Sequence, residues 1–280
     1  MQIISELEQK PRGAYCGAIG CVAPGGEAVF SVAIRTLLHD AETNRVTMGV
    51  GSAVTWDSQA ASEYDECLSK ARFIKRQVFD FSLLESLRLE NGTYTLLERH
   101  VDRLLSSACY FRFQFNETTI RQTLSSFAAR IDGLHKVRLL LAADGGVKIS
   151  SELLQENSRP LRLAISTALV DSIDVMRYHK TTRRELFDAA RSDRPDCDEV
   201  LLLNENGQVT EGSYHNLVVN LEGVLLTPPR KCGLLPGVLR EELLAQGRII
   251  ERILTPEDLT RAEELWLINS VRGWRRCYLL

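Results

Sequence analysis

Long apolar runs are missing from this chain. The most apolar stretches, such as Val200–Leu203, are a few residues long, against the ~18–20 that a membrane-spanning helix needs. The segment that begins at Met1 has neither the basic head nor the apolar stretch of a secretory leader, so a cytoplasmic chain with no membrane partner is expected. Charge of one sign is also lacking: 34 Lys+Arg oppose 37 Asp+Glu, a formal net charge of -3. Without a basic patch or a like-charged block, a nucleic-acid surface has no electrostatic footprint. The cysteines Cys16, Cys21, Cys67, Cys109, Cys197, Cys232 and Cys277 are odd in number and scattered, with no Cys-x-x-Cys pair. Neither a disulfide framework nor a zinc site follows, and no metal is expected. Five histidines form no His-Glu-x-x-His motif and no Ser/His/Asp order.

What is present is the balance of a globular chain: 280 residues, 44% hydrophobic and 25% charged, long enough for roughly two domains. Residues 1–74 read as a helix at 3–8, strands at 17–22 and 29–38, and a helix at 60–72, with turns at Gly25-Gly26 and Asn44-Arg45. So few elements bury little, so this segment is expected to lean on another domain or a partner. Residues 75–158 read as an α+β lobe. A hairpin turns at Asn91-Gly92 between strands at 79–89 and 94–97, helices follow at 100–111 and 117–131, and a second hairpin turns at Asp144-Gly145-Gly146. Residues 159–280 begin after the polar run 155–158 and Arg159-Pro160, and mix strands at 161–166, 200–204, 217–220, 223–226 and 264–268 with helices at 182–191, 236–245 and 256–262. Asn206-Gly207 is a hairpin signal between alternating segments.

Three segments of this last region could carry chemistry, though each taken alone is an ordinary lysine, turn or capped helix. Lys180 stands in Tyr178-His179-Lys180-Thr181-Thr182-Arg183-Arg184, just before a helix. Glu211 stands in Thr210-Glu211-Gly212-Ser213-Tyr214-His215-Asn216, between two strands. Pro236-Gly237 heads an amphipathic helix, where the N–H groups of Val238 and Leu239 lack helical partners and favour phosphate. Two more segments complete the series: Glu98-Arg99-His100-Val101-Asp102-Arg103-Leu104 and Leu267-Ile268-Asn269-Ser270-Val271-Arg272-Gly273.

In this order and spacing the five segments resemble the class IV aminotransferases, pyridoxal 5'-phosphate enzymes of fold type IV. The resemblance runs from about Phe79 to the C-terminus. It implies an α+β, two-lobed fold like that of D-amino acid aminotransferase. It also implies roles: Lys180 bonds the cofactor aldehyde and serves as base and acid, and Glu211 keeps the pyridine nitrogen protonated. Arg103, the N–H groups of Val238 and Leu239, and Asn269 or Ser270 anchor the phosphate. Arg138, Arg184 and Arg272 are the candidates for a substrate carboxylate, and a homodimer is implied.

The N-terminal segment resembles a different family. Glu6-Leu7-Glu8, Arg12-Gly13-Ala14-Tyr15-Cys16-Gly17-Ala18-Ile19-Gly20, Ala33-Ile34-Arg35-Thr36 and Glu63-Tyr64-Asp65-Glu66 are similar to the final quarter of the chorismate-binding enzymes, nearest to aminodeoxychorismate synthase component I, an α/β fragment of that fold. Glu63 and Glu66 match magnesium ligands there, but on this fragment a solvated helix face is expected. Ser52 and Ala53 stand where that family carries more glycine, and its catalytic lysine lies farther upstream, so synthase activity is expected to be absent. Because such a synthase makes the substrate of aminodeoxychorismate lyase, the resemblance favours that lyase, acting on the small molecule aminodeoxychorismate. A branched-chain or D-amino acid transaminase is the alternative. A third reading is an accessory module that docks to an upstream synthase half.

Overall fold

A computed structural model of the chain describes residues 2–8, 11–71, 80–155 and 158–280. The boundary expected at residues 74/75 lies outside them, as do the start of the strand expected at 79–89 and the last residue of the helix expected at 60–72. The chain divides into two compact units, Met1–Val78 and Phe79–Leu280.

The first unit holds α1 (Gln2–Leu7), β1 (Ala18–Val22), β2 (Ala28–Val32), β3 (Leu37–Asp40), β4 (Arg45–Met48) and α2 (Ala60–Ala71). β1 pairs with β2 and β3 with β4, each as an antiparallel two-stranded ribbon. The single strand expected over 29–38 is therefore two strands. Arg35 takes a left-handed φ of 51°, which a continuous strand does not tolerate. Strand β4 escaped the sequence reading; it follows a turn in which the Asp40 carboxylate accepts the N–H groups of Glu42 and Thr43. Ala33 is the one buried residue among those described in this unit, while Ile19, Val29, Phe30, Val32 and Trp56 are exposed. On α2, Glu66 pairs with Lys70 at 2.6 Å and Glu63 accepts from Ser58.

The second unit opens with a small lobe. β5 (Leu83–Glu90), β6 (Thr93–Tyr94), β7 (Leu134–Leu141) and β8 (Val147–Leu153) form an antiparallel sheet in the order β6-β5-β7-β8. Helices α3 (Leu97–Phe111) and α4 (Glu117–Ala128) cover it. α3 buries His100, Val101, Leu104, Ala108 and Phe111, the three-and-four spacing of one helical face. Of these, Leu104, Ala108 and Phe111 pack with Leu83, Leu87, Leu89, Val137, Leu139 and Leu141, the inward face of strands whose side chains alternate. The return strand expected at 94–97 is only two residues long, because Leu96 turns left-handed (φ 53°) and starts α3 three residues before the expected His100.

The large lobe contains β9 (Leu161–Val170), α5 (Glu185–Ser192), β10 (Glu199–Asn204), β11 (Val209–Gly212), β12 (Asn216–Leu221), β13 (Val224–Thr227), α6 (Val238–Ala245), β14 (Ile250–Glu251), α7 (Pro256–Arg261), β15 (Glu264–Asn269) and β16 (Gly273–Leu279). The sheet order is β11-β10-β9-β16-β15-β12-β13-β14, and β11 also pairs with β12. Six strands thus close on themselves, joined at the single pair Glu211↔Asn216. Strands β11 and β16 were not expected: Val209-Thr210-Glu211-Gly212 reads as a polar turn, and β16 carries Arg275 and Arg276 among its apolar residues. A register bridge between Leu83 and Thr181 couples the lobes.

Candidate active site

Lys180 follows a 3-10 turn at Val175–Tyr178 and precedes α5, which starts at Glu185, three residues later than the expected Thr182. Backbone pairing with β5 fixes it: Leu84 N donates to the Lys180 carbonyl at 2.9 Å, and Ser82 and Thr182 exchange bonds at 3.0 Å. The lysine lines a cleft of about 280 Å³. Burial first, then the nearby Arg103 and Arg184 charges, hold its pKa down at about 8; Glu85 and Glu211 oppose them. A lysine so perturbed supplies a neutral amine near neutral pH, as nucleophile or base.

Glu211 enters the same cleft from the β11–β12 junction. Its carboxylate accepts from Leu235 N at 3.0 Å and from Asn216 Nδ2 at 3.4 Å. Burial pushes its pKa up to about 7, against the Leu235 bond and the Lys180, Arg177 and Arg184 charges. Among the described residues no cation pairs directly with this carboxylate, an environment that would suit a protonated ring nitrogen beside it.

Arg103 projects from α3. Its Nε and Nη2 donate to the two oxygens of Glu85 at 2.9 and 2.6 Å, while Nη1 reaches the Pro236 carbonyl at 3.2 Å. Glu85 sits on the apolar face of β5 with Leu83, Leu87 and Leu89, and also contacts His100 Nδ1 at 2.6 Å. Burial alone would raise the Glu85 pKa, but Arg103 and His100 outweigh it and hold the group at about 2. The guanidinium is thus anchored by a buried ionised carboxylate. At the head of α6, Gly237 is an N-cap with no side-chain bond to the helix, which leaves first-turn N–H groups for an anion. A Cβ at Gly237 would lie 1.9 Å from Asn216 Oδ1, so only glycine lets this turn approach so closely. The amine, the buried carboxylate and this guanidinium beside an open helix start fit pyridoxal phosphate at its aldehyde, nitrogen and phosphate.

The structure brings Lys180, Glu211, Arg103, Val238, Asn269, Ser270, Arg184 and Arg272 around one cleft. Leu239, whose expected part is its backbone N–H, packs its side chain with Val218, Leu243, Ile249 and Ile268. Arg138 is exposed on β7 and lies outside the cleft lining, which takes Lys136, two residues earlier on the same strand. Asn269 uses its side chain within the protein, donating to the Tyr214 carbonyl at 3.2 Å and accepting from Val271 and Arg272 N–H. Arg184 donates to the Ser213 carbonyl and lies 4.6 Å from the Tyr214 ring centroid, a cation–π distance. Arg272 Nη1 donates to the Gln155 carbonyl at 3.0 Å. The sequence reading missed Glu85 as a site builder, and it named Gly237 and Asn216 only as parts of their segments. A charged residue inside Leu83-Leu84-Glu85-Ser86-Leu87 was the available signal for the first.

Comparison with known proteins places this geometry. The family described as amino-transferase class IV matches residues 82–278, and that of the chorismate binding enzymes matches residues 1–76. A solved structure from Mesorhizobium loti, provisionally named an amino-acid aminotransferase, is 37% identical with a TM-score of 0.69, over 72% of this chain and 100% of its own. The 4-amino-4-deoxychorismate lyase of Pseudomonas aeruginosa shares the fold, with a TM-score of 0.61 and 24% identity over 71% of this chain and 83% of its own. At the N-terminal end, anthranilate synthase component 1 of Cereibacter sphaeroides is 40% identical over 92 residues, 33% of this chain and 18% of that protein. The chain thus spans less than a fifth of that relative. No helix among the described residues is long and apolar enough to cross a membrane. With the family pattern covering nearly all of the cleft-bearing unit, the chain belongs to the class IV aminotransferases, pyridoxal-phosphate enzymes of fold type IV, with residues 1–76 similar to a part of the chorismate binding enzymes.

Proposed function

We propose that this chain is a 4-amino-4-deoxychorismate lyase, releasing pyruvate from aminodeoxychorismate and leaving p-aminobenzoate for folate biosynthesis, and that it works as a homodimer. The observation that carries the reading is the chorismate-binding segment, residues 1–76, in one chain with the class IV unit. An enzyme of that family, aminodeoxychorismate synthase, makes the proposed substrate. Charge in the cleft agrees. Arg184 and Arg272 are held by backbone carbonyls, which leaves guanidinium groups to meet the two carboxylates of the substrate.

When bound, pyridoxal phosphate supplies an electron sink at the carbon that bears the substrate amine. The residues do the rest. Lys180, with its pKa near 8, takes the hydrogen from that ring carbon as the general base. Glu211 holds the proton at the pyridine nitrogen. Arg103 and the start of α6 keep the phosphate in place, so the reacting carbon stays within reach of the lysine. Loss of the enolpyruvyl ether as pyruvate makes the carbocycle aromatic, which drives the elimination.

A lactate dehydrogenase-coupled assay with aminodeoxychorismate tests this directly: pyruvate release is expected. Absence of pyruvate with transfer of an amino group from branched-chain or D-amino acids to a 2-oxo acid would overturn it in favour of the transaminase, the reading that the Mesorhizobium loti likeness supports. The exposed apolar strands of the first unit support an upstream synthase half as a partner. Co-purification with the separately expressed remainder of such a synthase is the check, and failure to bind removes that partner.

A further inference from the structure

We propose that Glu199 is a positioning residue for the reaction: it fixes the turn at residues 213–215 and, through that turn, sets where Glu211 meets the cofactor ring. This rests on the cofactor assignment of the cleft and not on the choice between lyase and transaminase.

Glu199 is the first residue of β10, 1% exposed, and is not part of the cleft lining. Its carboxylate gathers the turn. It accepts from Ser213 N at 2.9 Å, Ser213 Oγ, Tyr214 N at 3.2 Å and His215 Nδ1 at 2.6 Å, with Val200 N of its own strand at 3.1 Å. Four donors thus come from three consecutive residues. Burying a carboxylate is costly unless donors of this kind surround it. Burial pushes its pKa up, but the bonds from His215 and Ser213 outweigh that, so the group stays ionised. Among the described residues His215 Nε2 is buried without a hydrogen-bond partner, so the Nδ1 bond to Glu199 is the polar contact that orients the ring.

The turn so gathered joins β11 to β12, and the pair Glu211↔Asn216 lies at its ends. Gly212 N donates to the His215 carbonyl at 2.8 Å and closes it. A Cβ at Gly212 would stand 3.1 and 3.2 Å from Glu199 Cγ and Cδ, tighter than ordinary contact, so the glycine lets the carboxylate approach. Ser213, Tyr214 and His215 all line the cleft. A side chain that never reaches the cleft therefore holds the segment that does, and its two ends carry the groups on the pyridine side.

Glu199→Gln keeps the shape but replaces one accepting oxygen with an NH2, which opposes either the Ser213 or the Tyr214 N–H. In a double-mutant cycle, a residue that acts through Glu211 loses its effect once Glu211 is changed. The expected result for Glu199→Gln is an unchanged circular-dichroism spectrum and pyridoxal-phosphate affinity within about threefold, because the Arg103 contacts survive. Its cofactor absorbance should respond to pH differently from the parent, and kcat should fall about 10- to 100-fold with KM within about threefold. In a Glu211→Gln background the same change should add nothing. Multiplying losses in the double variant, or a parent-like spectrum and kcat in the single one, would overturn the proposal. Should Glu199→Gln fail to fold, His215→Phe keeps a ring but removes the Nδ1 donor to Glu199 and should give a smaller loss in the same direction, again absent beside Glu211→Gln; a loss that persists there overturns it equally. The cofactor titration and spectrum need no substrate, so they stand whichever reaction the chain performs.

Discussion

Arg103 Nη1 donates to the Pro236 carbonyl at 3.2 Å, which fixes a guanidinium from α3 of the small lobe beside the first turn of α6 in the large one. The two lobes thereby meet at the place proposed for the cofactor phosphate.

Arg103→Ala should therefore weaken pyridoxal-phosphate binding about 10- to 100-fold, since a charge-assisted contact contributes ~1.5–3 kcal/mol. Glu211→Gln should weaken it far less. Equilibrium titration of the cofactor-stripped variants measures both, and equal losses would contradict the division between phosphate and ring contacts.

Lys180→Ala should abolish the visible absorbance of bound cofactor while the circular-dichroism spectrum is retained. In the parent, the rate of cofactor attachment should rise through about pH 8, to which burial lowers the Lys180 amine. A rate that keeps climbing toward the ordinary lysine value of 10.5 would place the attachment at another lysine, such as Lys136 or Lys231.

Opposite pKa shifts give the cofactor-stripped protein a signed pH dependence. The Glu211 carboxyl is raised from 4.5 to about 7 in the fold, so its contribution is complete below 4.5 and is lost as pH rises through 7. Lys180 is depressed from 10.5 to about 8, so its cost is in force below pH 8 and is relieved between there and 10.5. Glu211→Gln should thus raise the melting temperature relative to the parent at pH 8 and hardly at all at pH 4.5. A gain of about 2–4 °C corresponds to ~1 kcal/mol in a chain of this size. Scanning calorimetry at the two pH values is the check; an equal gain at both would show that the Glu211 carboxyl does not titrate in between.

Gly237→Ala is a test of close approach. Its φ of -65° suits alanine, so any loss comes from the added Cβ meeting Asn216 Oδ1. Displacing Asn216 breaks its bonds to Glu211 and to the Leu235 carbonyl. Cofactor affinity should fall about tenfold, of the order of one such bond. Parent-like affinity would mean that the loop shifts freely.

Much of this site was legible because its chemistry is local to the chain. Lys180, Glu211 and the start of α6 each sit in a segment whose residue types and order carry the family pattern, and α3 announces itself by the spacing of Leu104, Ala108 and Phe111. What escaped depends on contacts far along the sequence. Glu85 is 18 residues from Arg103 and Glu199 is 14 from Ser213, and no local spacing marks either pair. Arg138 and Lys136 share a strand face about 7 Å apart; which of them reaches the cleft depends on how far along β7 the cleft lies. The break between β2 and β3 at Arg35 was hidden for a different reason, since an arginine at positive φ has no sequence signature of the kind that glycine or asparagine provides.

The bare surface of the first unit has a calorimetric consequence. Unfolding enthalpy comes from interiors, about 0.7 kcal/mol per residue in ordinary globular proteins, or about 200 kcal/mol for a chain of this length. A unit in which Ala33 is the one buried residue among those described has almost no interior to melt. The heat absorbed should then approach that of the class IV unit alone, about 140 kcal/mol, and recover the difference when something covers the exposed strands.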